Sequence, residues 1–153
     1  MMAAILIDTQ LLVLLVVGRA SPAYIRKHKR LQHYKMSDFD LLELTIAQAE
    51  HVVVTPHTLT EASNLLRQIE EPERTNIMAT FQGLITSSRE QHVPAWVAAG
   101  RIEFMRLGLA DAGILALDHE PMLLLTADTD LYLAASQAGR HVENFNFIRE
   151  AHR

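Results

Sequence analysis

The stretch ILIDTQLLVLLVVG, Ile5 to Gly18, is apolar throughout except for the aspartate, threonine and glutamine at positions 8–10. Ala4 to Ile7 reads as a buried strand, a short continuous apolar run stopped by polar residues. Leu11 to Val17 begins a helix, and Ser21-Pro22 breaks it. A carboxylate buried without a partner costs several kcal/mol, so Asp8 must have either a partner or a task.

The same run raises the question of a membrane. A spanning helix needs about 20 apolar residues, and here three polar residues interrupt a shorter stretch. No basic residue precedes it, as a secretory signal would require. The chain has no cysteine, which excludes disulfides and thiolate metal sites and suits the cytosol. The expectation is a cytoplasmic protein with no membrane partner. With 153 residues, 49% of them hydrophobic, the chain reads as a single domain over 1–153 with a sizeable core.

Working outward, Ser37-Asp38 looks like the start of a helix through FDLLELTIAQAE, with Phe39, Leu42, Ile46 and Ala49 on one face. Val52 to Val54 is a second buried strand, ended by Thr55-Pro56. The helix that follows turns Leu59, Ala62, Leu66 and Ile69 inward. A helix around Thr75 to Ser87 is expected to bury Met78, Phe81 and Ile85, with further helix after Pro94. Phe104-Met105 fits a brief strand or a turn. Ala110 to Leu117 looks helical, Met122 to Leu125 is a third strand, and Asp128 to Gln137 is a helix closed by Gly139. Val142 to Phe147 fits a last strand. Strands alternating with helices imply a three-layer, Rossmann-like α/β fold, a central parallel sheet flanked by helices.

The acids fall in a pattern. Asp8 ends the first strand, and Glu61 lies one turn into the helix after the second. Asp111 stands at a helix start in LGLADAGIL. Asp128 and Asp130 follow the third strand in MLLLTADTDLYLAA. Each has an ordinary explanation: Thr58 to Glu61 fits a capping box, and Asp111 or Asp128 can cap a helix. In a parallel sheet, however, they converge at one edge. Converged carboxylates repel and demand a counter-charge. Oxygen-only ligands favour Mg2+ or Mn2+, and a water acidified by such an ion can attack a phosphodiester.

The order ILIDT, TPHTLTE, LGLADAGIL, LLTADTDL resembles the PIN-domain family of metal-dependent nucleases over nearly the whole chain. That resemblance implies an endoribonuclease with Asp8, Glu61, Asp111 and Asp128 as its acidic core. Asp130 is implied as a further metal-site acid and Thr126 as the threonine of the T-x-D step. Gln10 departs from the family, which often has Asn or Ser there, and bears on the bonding around Asp8. Many members are toxins paired with an antitoxin encoded beside them, so the resemblance also implies an antitoxin partner. The long gap from Pro22 to Lys35 between the first two motifs speaks against the toxin role. The alternative is a catalytically inactive PIN-like scaffold or regulatory module.

The net charge of −4 is not that of a protein holding nucleic acid by overall charge. Yet all three lysines lie in IRKHKRLQHYK with Arg26 and Arg30, and no lysine follows position 35. Arg26, Lys27, Lys29 and Arg30 are candidate RNA contacts, with Tyr24 and Tyr34 beside them for base stacking; an ordinary solvated face is the competing explanation. The missing late lysine argues against receiver-type and haloacid-dehalogenase-type phosphotransfer sites, the latter also lacking the second acid of D-x-D at Gln10, and it excludes a Walker-type nucleotide site. The eight histidines show no metal-ligand spacing, and His57 beside Thr58 is expected to be incidental. The apolar content and the Met78–Phe81–Ile85 face leave room for a homodimer.

Overall fold

The first strand, β1 (Met2–Ile7), has both faces covered: Ile5 and Ile7 pack into one core, Ala4 and Leu6 into the other. A continuous apolar run is what two covered faces require. The computed structural model describes residues 2–117 and 122–152. After β1 come α1 (Thr9–Ala20), two 3-10 segments (Pro22–Lys27 and Lys29–Leu31), α2 (Met36–Ile46) and β2 (Ala49–Val54). Then follow α3 (Pro56–Leu66), α4 (Glu73–Ser87), β3 (Arg89–Glu90), α5 (Ala95–Ala99), α6 (Phe104–Leu107) and α7 (Leu109–Ala116). The chain closes with β4 (Leu123–Thr126), α8 (Thr129–Gln137), β5 (Val142–Asn144) and α9 (Phe145–Ala151).

The five strands are all parallel, in the order β3-β2-β1-β4-β5. Leu6 lies between Val53 of β2 and Leu124 of β4. Helices α1 to α4 and Phe145 of α9 build the core on one face, and α5, α7 and α8 cover the other. The arrangement is the three-layer, Rossmann-like α/β fold that the alternation of elements implies. The winding reverses between β1 and β4, and in such sheets a crevice opens there, beyond the carboxyl ends of the strands.

Helix α1 is buried almost all round, from Leu11 to Gly18, and packs against α2, α3 and α4. An all-apolar helix of this length is stable only as the centre of a layer. Gly18 is required by that packing, because a β-carbon there would overlap the ring of Phe39 on α2. Gly18→Ala is therefore expected to destabilise the protein by about 1–3 kcal/mol, as overpacking does. Urea denaturation checks this, and Phe39→Leu in the same chain should recover part of the loss.

Several local readings are corrected. Helix α2 stops at Ile46, and Ala49 belongs to β2. Helix α4 buries Ile77, Phe81 and Leu84, leaving Met78 and Ile85 only partly covered, a rotation of about one residue. Phe104-Met105 is the start of a short helix, α6. The last strand ends at Asn144, whose side chain accepts the Asn146 N–H at 2.9 Å and so opens α9. The two-residue edge strand β3 carries no sequence signal of its own. Gly139, with φ 77°, does close α8: its N–H reaches Ser136 and that of Arg140 reaches Ala135, the Schellman pattern.

Candidate active site at the sheet switch point

Asp8 leaves β1 with extended backbone and caps α1, its Oδ1 accepting the Leu11 N–H at 3.0 Å. Its Oδ2 accepts the Thr126 hydroxyl and the Ala127 N–H, the latter at 3.1 Å. The partner that burial demands is thus the end of β4, 118 residues away in sequence. Thr126 also receives the Asp128 N–H at 2.9 Å, so one hydroxyl ties both strand ends together. Burial still dominates and raises the pKa of Asp8; the three donors oppose it, and the Asp128 charge adds to it.

Asp128 caps α8 through the Leu131 N–H at 3.1 Å. Asp111 stands in the first turn of α7 and is part-buried. Burial first, then the charges of Asp8, Asp128 and Glu61, push its carboxyl up to about 7 from an ordinary 3.8. Asp111 therefore senses all three of the other core acids. Glu61 is exposed on the second turn of α3; that helix is capped instead by Thr55, whose hydroxyl accepts the Thr58 N–H at 3.2 Å, so the capping-box explanation for Glu61 is replaced. Asp130 is exposed on the first turn of α8. Among the described residues no group of three or more His, Asp or Glu side chains is arranged to hold a metal ion. Thr9 Oγ1, on the residue after Asp8, is buried with no hydrogen-bond partner among the described residues.

Gln10 donates from Nε2 to the Arg30 carbonyl at 2.8 Å, joining α1 to the basic segment. Arg30 in turn donates to Gln68 Oε1 at 2.7 Å, and Lys27 approaches Glu73 at 3.4 Å. Lys27 and Lys29 share a surface cavity with Arg67 and Arg74, two cations outside the basic run, and with the acids Glu70 and Glu73. They lie about 40 positions further along the chain, and only the packing of the loop after α3 brings them near. His28, within the basic run, is fully buried; Nδ1 accepts the Arg30 N–H and Nε2 faces the Leu66 carbonyl, while burial lowers its pKa. His57 likewise bonds the Val93 carbonyl at 2.8 Å.

Tyr34 is buried rather than free for stacking. Arg149 lies over its ring at 4.7 Å, and His33 packs beside it at 4.3 Å. Burial, then the Asp8 charge, push the Tyr34 phenol up to about 12. With Gln10, Asp128 and Asn146, these residues line a cavity of about 540 Å3 at the switch point. His33, Asn146 and Arg149 had no signal in the sequence, since none sits at a strand end or in a recognisable spacing.

Among the described residues no helix is long and apolar enough to cross a membrane. Compared with protein-family models and with curated proteins, the chain matches none.

Proposed function

We propose that this chain is a Mg2+- or Mn2+-dependent ribonuclease of the PIN type that hydrolyses RNA phosphodiesters. The observation that carries the reading is that Thr126 ties Asp8 to the backbone of Asp128 at the strand ends, with Asp111, its carboxyl raised by burial, near enough to be raised further by the charges of both. A site built from acids that repel one another is costly unless function requires it. The donor set, oxygen only, fits a hard dication. Mg2+ is commonly held by one or two carboxylates and several waters, so three direct ligands are not needed. One or two of the carboxylates of Asp8, Asp111 and Asp128 would hold it, with waters completing its shell and Glu61 and Asp130 further out.

Bound there, the ion would acidify a water and offset negative charge developing on the phosphate. The chain's own part is positional. Thr126, Ala127 and Leu11 fix both Asp8 oxygens, so its carboxylate cannot turn away. Without the ion Asp111 titrates near neutrality, and binding the ion would release its proton. Thr9 Oγ1 supplies an unused polar atom for an ordered water beside Asp8.

The test is cleavage of a mixed RNA by the purified chain with Mg2+, with Mn2+, and with a chelator. Cleavage is expected only with an ion, and Asp8→Asn should reduce it roughly 100-fold or more, several kcal/mol of transition-state stabilisation. A wild-type protein inert on every RNA in both ions would leave the second reading, a PIN-like scaffold. That reading is favoured by Asp8 already accepting three hydrogen bonds.

Phosphates repelled by the acids need cations elsewhere, and the surface of Lys27, Lys29, Arg30 and Arg67 supplies them. Charge reversal at Lys27, Lys29 and Arg30 is expected to weaken RNA binding. It should also flatten the slope of log affinity against log salt by about 2, near 0.7 for each phosphate no longer neutralised. An unchanged slope, measured by fluorescence anisotropy, would reject that role.

A further inference from the structure

The cavity beside Asp128 has a composition that selects its occupant. At about 540 Å3 it falls in the range of small-ligand sites. Its cation, Arg149, is committed to Asp38 through two contacts of 3.1 Å, with both side chains buried. Asp128 and Glu150, also in the wall, add negative charge. A phosphate group would meet these carboxylates and no uncommitted lining cation, so the cavity does not suit one.

What the wall offers instead is acceptors and a flat ring. Glu150 carries an exposed carboxylate, and Asp128 has one oxygen beyond the Leu131 contact. Gln10 uses its amide nitrogen on Arg30 and keeps its carbonyl oxygen. The exposed His33 ring, propped against Tyr34, presents a face on which a planar group can stack. An uncharged planar group rich in N–H and O–H donors matches this set. Asp128 belongs both to this wall and to the acids around Asp111, so the occupant sits next to whatever lies over those acids.

We infer that this cavity seats one nucleoside unit of single-stranded RNA, base and ribose, with its phosphate outside the cavity. The acceptor-rich wall favours a base with an exocyclic amino group, guanine, adenine or cytosine, over uracil, whose single base donor is N3–H. The inference rests on the ribonuclease reading for what flanks the nucleoside, but its occupancy is measurable without cleavage.

The experiment titrates the full chain with guanosine, adenosine, cytidine, uridine and inorganic phosphate, followed by amide and side-chain NMR shifts. Shifts are expected at His33, Tyr34 and Asn146, with the amino-bearing nucleosides binding about fivefold or more tighter than uridine, and phosphate producing none there. His33→Ala and Glu150→Gln should each weaken nucleoside binding several-fold. The His33 carbonyl rather than its ring holds Arg149, so the first variant keeps the fold. In RNA cleavage the same variants should raise KM and leave kcat near its wild-type value. Shifts mapping elsewhere, unchanged affinity in both variants, or phosphate outcompeting adenosine would overturn the assignment. Nucleoside binding without any RNA cleavage supports the cavity and sinks the nuclease reading. Cleavage with KM unchanged in both variants does the reverse.

Discussion

Asp111→Asn is expected to make the protein more stable at pH 8 while abolishing RNA cleavage. The carboxyl titrates near 7 in the folded chain and near 4 when unfolded. Below about pH 4 both states are protonated and Asp111 has no effect on stability. Between pH 4 and 7 the folded state holds the proton more tightly than the unfolded one, so stability falls as pH rises. Above 7 the penalty is complete. A displacement of about three pH units corresponds to roughly 4 kcal/mol. Asp111 keeps part of its surface in water, and about 2 kcal/mol is the expected measured value. Urea denaturation of both proteins in chelator, at pH 4 and pH 8, reads it directly: coincident curves at pH 4, a more stable variant at pH 8. A variant of equal or lower stability at pH 8 would mean that the acids do not repel as their placement requires. Added Mn2+ should raise the wild-type midpoint at pH 8 by more than that of Asp111→Asn, because binding to the folded state alone is stabilising.

Removing Arg149 should have the larger effect on folding. Its guanidinium forks onto Asp38, donates to Asn146 Oδ1 at 3.0 Å and to the His33 carbonyl at 3.0 Å, and covers Tyr34. Asp38 is itself engaged by the Lys35 N–H at 2.8 Å. Arg149→Ala removes the guanidinium that forks onto a buried carboxylate, at a cost of about 3–5 kcal/mol. Arg149→Lys restores charge but not the fork, so a substantial part of the loss should remain. Pairing Arg149→Met with Asp38→Leu should recover most of it, since an apolar pair avoids the desolvation cost. Thermal and urea unfolding of the single and double variants separate these outcomes. If Arg149→Ala unfolds like the wild type, α9 is not held by this pair.

What can be read in the chain follows from how local each signal is. Ala4–Ile7 and Met122–Leu125 announce buried strands because both of their faces are covered, leaving no polar alternation to hide the run. For α4 the residue pattern locates the helix but sets its face one residue off. Residues 77, 78, 81, 84 and 85 are all apolar, and the stripe is broad enough to fit two rotations. Packing on α1 selects Ile77 and Leu84. The edge strand β3 is two exposed charged residues, and nothing but its pairing with Val53 and Val54 makes it a strand. At Asn144 the stop signal is present, an N-cap residue, but the aromatic run after it mimics a strand.

By itself, then, the order of residues determined an alternating α/β chain and put an acid at the end of β1, in the helix after β2, at the start of α7 and after β4. Those are short-range facts, since apolar periodicity and capping act within a few residues. Only the folded molecule decided that Asp8 leans on Thr126, that Asp111 titrates under the charges of three distant acids, and that Arg149 closes the cavity beside them by pairing with Asp38. Hydrogen bonds, desolvation and charge–charge repulsion depend on distance through space, and that distance is set by the order of the strands in the sheet.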